Sequence, residues 1–135
     1  MNGQPTSSAQ PRHTLEQQRA QDAWKVCQLF NREHVRVAKS LPALIMNSGL
    51  MQTLAFLHEK GGAHEELAEH LRHWLARRYP NVLKNRSFET SMEGLFNAKP
   101  LEYRQINAEA FAWLKWVRRL AEAHLAQPEK QADRR

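Results

Sequence analysis

Apolar residues recur at intervals of three and four along most of the chain, the spacing that places side chains on one face of a helix. No stretch alternates apolar and polar residues long enough for a half-buried strand, so the pattern predicts an all-α, compact single-domain bundle of five to six helices. The first helix starts at Leu15, where Thr14 and Gln17 fit a capping box, each side chain satisfying the other's free backbone N–H. It is expected to run beyond Arg32, with Ala23, Val26, Cys27 and Phe30 on one face and Trp24 beside it. Val35 to Lys39 either extends this helix or forms a bend. A short second helix covers Leu41 to Met46, capped by Ser40, with Pro42 in the first turn where its missing N–H does no harm. Asn47-Ser48-Gly49 ends it, Gly49 being free to adopt positive φ. A third helix, Leu50 to Lys60, carries a stripe of Leu50, Leu54 and Leu57 and stops at Gly61-Gly62. The fourth, His64 to Arg78, repeats Leu67, Leu71, Trp74 and Leu75. Its early Glu65, Glu66 and Glu69 and late Arg77 and Arg78 complement the helix dipole.

Pro80 opens a connector, and Ser87 to Phe96 is a weaker helix candidate because Gly94 counts against it. After Pro100, Asn107 is expected to cap a last helix from Ala108 to Ala126, with Glu109 in its first turn. Trp113, Leu114, Val117, Leu120 and Ala121 form its core stripe, while Phe111 and Trp116 point elsewhere. Apolar surface that wide suits a helix packed between neighbours in the bundle, a face left for another subunit, or both. Residues 1–13 read as a disordered tail, 14–126 as the helical domain and 127–135 as a charged tail, with Pro128 stopping the last helix. No repeat at solenoid spacing is visible.

The chain has 135 residues, 41% hydrophobic and 25% charged, an ordinary globular balance. No apolar run approaches the roughly 20 residues that span a bilayer, and the N-terminus has no apolar leader. A single cysteine forms no internal disulfide, and the expected compartment is cytoplasmic. Charge changes the picture more: 20 Lys and Arg against 14 Asp and Glu leave a net charge of +6, favouring nucleic acid over an anionic membrane or an acidic protein as partner. The cations are also patterned. Arg32, Arg36 and Lys39 form a stripe if the helix continues through them, and Lys115, Arg118 and Arg119 form another on the last helix, with Arg104 upstream. Exposed, repeated cations contact a phosphate backbone because neutralising phosphates releases counterions, and arginine adds two-pronged contact to phosphate oxygens. No recognition module accompanies them, so binding should follow charge and shape rather than base sequence.

Candidates for catalysis are sparse. His58-Glu59 and His64-Glu65 begin like a zinc-protease motif, but the fifth positions are Gly62 and Ala68. Glu66, Glu69, His70 and His73 share one helix and are the only plausible metal set, for a metal-dependent hydrolase. A solvated face of glutamate–histidine pairs explains the same spacing. Cys27, on an apolar face, behaves as a small hydrophobe rather than a nucleophile. There is no phosphate-cradling glycine loop and no nucleophile elbow.

The run from Ala38 through Leu41-Pro42-Ala-Leu44-Ile45, Asn47, Gly49-Leu50 and Thr53-Leu54-Ala55-Phe56-Leu57 resembles the small subunit of the CRISPR type III-B Cmr effector complex. So does Tyr103-Arg104 through Asn107, Glu109-Ala110, Trp113-Leu114, Trp116, Arg118-Arg119 and Ala121, and Arg19-Ala20-x-x-Ala23 fits the family's start. The resemblance covers about residues 15 to 126. It implies a compact helical protein without enzymatic activity or cofactor that stacks along larger subunits beside paired guide and target RNA. Leu41, Pro42, Gly49, Leu54, Trp113 and Leu114 would then be structural positions, and Arg104, Lys115, Arg118 and Arg119 would face RNA or a neighbouring subunit. The implied partners are other Cmr subunits, the guide–target duplex and further copies of the chain, with no membrane and no small-molecule substrate. The hydrolase, and a DNA-binding regulator, are the rival readings.

Overall fold

The computed structural model describes residues 12–133, with side chains through residue 126. Of the expected tails, residues 1–11 and 134–135 lie outside the described residues. Among the described residues there are five helices and no strand: α1 Leu15–Cys27, α2 Arg32–Lys60, α3 Gly62–Arg78, α4 Phe88–Asn97 and α5 Pro100–Asp133. The all-α bundle expected from the pattern is the observed fold. α5 lies at its centre, packed extensively on α1 and α2 and also touching α3. Ile106, Ala110, Trp113, Val117 and Ala121 of α5 are fully buried. The breadth of apolar surface on this helix follows from its having neighbours on several sides.

The boundaries at Leu15, Lys60 and Arg78 fall where the sequence places them, whereas others differ. α1 opens with the Thr14–Gln17 capping box but ends at Cys27 rather than running beyond Arg32. Leu29 and Phe30 close it by donating their N–H groups to the carbonyls of Val26 and Cys27, at 3.0 and 3.1 Å. Asn31 then starts α2. Its Oδ1 accepts the N–H groups of Glu33 and His34 at 2.9 and 3.2 Å, and His34 Nδ1 accepts the Asn31 N–H at 3.1 Å. Val35 to Lys39 therefore belongs to α2.

The break expected at Gly49 is present: its positive φ of 83° and ψ of 166° are not helical, so residues 32–48 and 50–60 are two helical segments joined across a kink within α2. Ser40 and Pro42 are interior to α2 rather than at its start, and the Ser40 hydroxyl donates to the Val37 carbonyl at 3.0 Å. The kink frees backbone donors on its C-terminal side, and α5 supplies their acceptors. Leu50 N–H donates to Asn107 Oδ1 at 2.8 Å and Met51 N–H to the Tyr103 hydroxyl at 3.3 Å. Asn107 thus caps a helix, though not its own, which begins earlier, at Pro100. α5 also continues through Pro128 to Asp133 instead of stopping there. By length and composition α2 could cross a membrane, its most apolar window having a mean hydropathy of 1.2. Leu41, Ile45, Leu50, Leu54 and Leu57 nevertheless lie fully buried in the bundle.

Gly94, which argues against a helix on propensity, sits inside α4 for a packing reason. A Cβ there would lie 1.9 Å from the carbonyl oxygen of Val82, so only glycine lets the 79–87 connector rest on the helix. The connector is anchored by buried Val82 and Leu83 and by Arg72, which is 3% exposed. Arg72 Nε donates to the Arg86 carbonyl at 2.6 Å and Nη2 to Glu65 Oε2 at 2.8 Å. Glu65 Oε1 lies 3.1 Å from His58 Nδ1, and the His58 ring stacks on Phe88 with centroids 4.0 Å apart. Burial pushes the Glu65 carboxyl up, but the hydrogen bond and charge of Arg72, with His58, outweigh it and hold it below its ordinary value.

Candidate nucleic-acid interface

At 3.6 residues per turn, Arg104, Phe111, Lys115, Arg118 and Arg119 share one side of α5, away from buried Ile106, Ala110, Trp113 and Val117. All four cations are exposed. They extend over about 22 Å of helix at 1.5 Å per residue. Phe111 is half-buried beneath them, with Lys115 Nζ 4.7 Å above its ring centre.

The other stripe, Arg32, Arg36 and Lys39, lies exposed on α2 at the spacing the sequence suggested. The two stripes adjoin at Glu122, one turn beyond Arg118 and Arg119 on α5, which pairs with Lys39 Nζ at 3.4 Å. Arg32, Arg36, Lys39 and Glu122 border a shallow groove of about 370 Å³ floored by Val35, Leu125 and Ala126. A second open groove, about 430 Å³, runs between α1 and α5 and is lined by Glu16, Arg19, Ala112, Lys115, Trp116 and Arg119. The result is a mainly cationic surface that includes the acidic Glu16 and Glu122, set on helices fixed by a buried apolar core.

Beneath it is a polar cluster that sequence reasoning missed. Glu109, expected in an exposed first turn, is 4% exposed. Its two carboxylate oxygens take Arg19 Nε and Nη2 at 2.7 and 2.8 Å, and Oε2 also accepts the Trp74 indole N–H at 3.0 Å. Arg78 Nε lies 4.0 Å from Oε1. Burial pushes the Glu109 carboxyl up. The Arg19 and Trp74 hydrogen bonds, with the charges of Arg19 and Arg78, pull it below its ordinary value. The Glu109 hydrogen bond raises Arg19 in turn, against the smaller effect of burial. Asp22 repeats the motif, accepting the Trp113 indole N–H at 2.8 Å and Arg77 Nη1 at 3.1 Å. Arg19 and Glu109 are 90 residues apart in the chain, so no periodicity signals their pairing. The only hint was that both stand within the segments that carry the family resemblance.

The hydrolase set does not assemble. Glu66 accepts instead from His34 Nε2 of α2. Among the described residues no three His, Cys, Asp or Glu side chains group so as to hold a metal ion. His70 is pushed below its ordinary value by burial, against Glu69 and Asp22. Cys27 is fully buried with Sγ 3.7 Å from the Val117 carbonyl, and burial pushes its thiol up to about 12, as an inert core residue requires.

This compact helical bundle with a basic face matches a known family of small subunits. Residues 15–124 match the family described as CRISPR-associated protein (Cas_Cmr5). The chain belongs to this Cmr5 family, the small-subunit family that its sequence resembles. A curated relative from Thermus thermophilus, "CRISPR system Cmr subunit Cmr5", is 32% identical over 92 residues, covering 67% of this chain and 74% of the relative. The crystal structure of a CRISPR-associated Cmr5 family protein, also from Thermus thermophilus, superposes with a TM-score of 0.66 at 29% identity, covering 82% of this chain and 96% of that one.

Proposed function

We propose that this protein is a non-catalytic, cytoplasmic small subunit of a type III-B Cmr ribonucleoprotein. In this reading it stacks along the complex with other Cmr subunits and further copies of itself, and holds the guide–target RNA duplex through its basic surface. The observation that carries the reading is the exposed cationic side of α5, Arg104, Lys115, Arg118 and Arg119, adjoining Arg32, Arg36 and Lys39 of α2. Its acidic residues support a non-catalytic role, because the buried or paired ones hold structure: Asp22 and Glu109 anchor indoles, Glu65 anchors Arg72 and Glu66 binds His34.

Head-to-tail stacking needs two different complementary patches. Exposed apolar side chains occur at both ends of α5. Phe96 and Leu101 stand at the α4–α5 corner, 65% and 61% exposed. Trp24, 42% exposed, meets His124 edge-on near the other end, with Leu29 close by in sequence. Leu101 and His124 are separated by about 35 Å of helix.

The test is RNA-duplex affinity measured by fluorescence anisotropy against salt. If about four phosphates are neutralised, log K falls with log salt at a slope near −3.6. Replacing Lys115, Arg118 and Arg119 together with alanine should reduce that slope by about 2.7, at about 0.9 per phosphate contact. A flat salt dependence, or a slope unmoved by the triple substitution, refutes the assignment.

A further inference from the structure

Four tryptophans stand in the chain, and three have partners. Trp74 donates to Glu109 and lies 5.4 Å under the Arg77 guanidinium, Trp113 donates to Asp22, and Trp24 packs edge-on against His124. Trp116 differs. Among the described residues its indole has no hydrogen bond, no ring contact and no cation above it. It is half-buried, packed against the edge of the core where it lines the α1–α5 groove together with Lys115 and Arg119. The bundle closes around Trp113 and Trp74 and leaves this fourth indole at the mouth of a cationic cleft.

We propose that the groove between α1 and α5 holds one unpaired RNA nucleotide, its base against the Trp116 indole and its flanking phosphates on Lys115 and Arg119. The inference rests on the RNA-binding reading of this surface and specifies what one part of it takes. A flat aromatic beside exposed cations is the arrangement that binds single strands, because every base has a π-face and every nucleotide a phosphate. The groove, about 430 Å³, lies within the range of small-ligand sites. Arg19 is committed to Glu109 at 2.7 and 2.8 Å and so forms a fixed wall rather than a phosphate clamp. Glu16 on the rim repels phosphate and keeps the backbone on the side of Lys115 and Arg119. Lys115, 4.7 Å over Phe111, needs only to exchange that ring for a phosphate oxygen.

The experiment compares the full chain with Trp116→Leu and Trp116→Phe at low salt, after circular dichroism melting shows that each variant folds. Anisotropy is read with three RNAs: a single strand, the same strand with abasic positions, and a blunt duplex. Trp116→Leu should weaken single-strand binding about tenfold or more, the scale of one stacked base, while Trp116→Phe retains most of the affinity. The abasic strand should bind the wild type as weakly as the intact strand binds Trp116→Leu, and lose little more on that substitution. Duplex binding should change less than about twofold. Equal losses on all three RNAs, or none on the single strand, overturn the nucleotide site while leaving the charge-based duplex reading standing. If the wild type binds neither strand nor duplex, both fall.

Discussion

The Glu109 cluster offers the sharpest test of how this bundle is held together. Glu109→Gln keeps the shape and leaves an acceptor for the Trp74 indole, but it removes the charge that Arg19 grips with two hydrogen bonds, at 2.7 and 2.8 Å. The Glu109 side chain is 3% exposed and that of Arg19 21%, so the surviving guanidinium is left largely out of water without its counter-charge. Removing one partner of a buried ion pair costs about 3–5 kcal/mol, and the residual access of Arg19 to solvent places this case near about 3. At roughly 2.1 cal/mol/K per residue, the entropy of unfolding of 135 residues is about 0.28 kcal/mol/K, so the melting temperature should fall by about 10 °C. Urea unfolding and calorimetry at neutral pH measure this. The pH dependence supplies an independent check. The folded-state carboxyl lies below its unfolded value, so its contribution is present above the ordinary carboxylate pKa and is lost as pH falls through the lower, folded value. The gap between wild type and Glu109→Gln should therefore close in acid. A neutral-pH loss under about 2 °C, or a gap that stays constant into acid, would show that the cluster does not stabilise the fold as argued.

Three further outcomes follow from particular contacts. Gly94→Ala puts a Cβ 1.9 Å from the Val82 carbonyl oxygen and should destabilise the protein by about 2 kcal/mol or more in chemical denaturation, with the connector rather than the main core giving way. Asn107→Ala removes the acceptor of the Leu50 N–H and should cost about 1–2 kcal/mol, the scale of a lost helix cap; hydrogen exchange should accelerate at Leu50. Cys27, fully buried with its thiol pushed up to about 12, should react with a disulfide reagent at neutral pH only at the rate of unfolding, so native and denatured labelling should differ by orders of magnitude.

Much of the candidate surface was legible because exposed cations on a helix need only local spacing to be found. Lys115, Arg118 and Arg119 stand out at three- and four-residue intervals, and Arg32, Arg36 and Lys39 do so once α2 is known to begin at Arg32. Glu109 was misjudged for the complementary reason. A glutamate near an apparent helix start is ordinarily solvated, and only the arrival of Arg19 from α1 and Trp74 from α3 turns this one into a buried anchor. Spacing sets Trp116 apart from the core stripe, but it packs against the core's edge, and the groove it lines exists only where α1 packs against α5.

Local periodicity determined that the chain is helical, which residues enter the core and where α1 starts, because apolar spacing and a capping box act over a few residues. It placed the ends at Lys60 and Arg78 but not those of the first and last helices, nor where Arg32–Lys60 begins. Gly49 interrupts the helix at positive φ as its sequence suggests, but the acceptors for the N–H groups freed there, Asn107 and Tyr103, reach across from α5. Gly94 could break a helix or admit a neighbour, and the Val82 backbone decided that. These outcomes belong to the tertiary structure because hydrogen-bond satisfaction and steric fit are settled between residues distant in sequence, and propensities of a few tenths to about one kcal/mol yield to them.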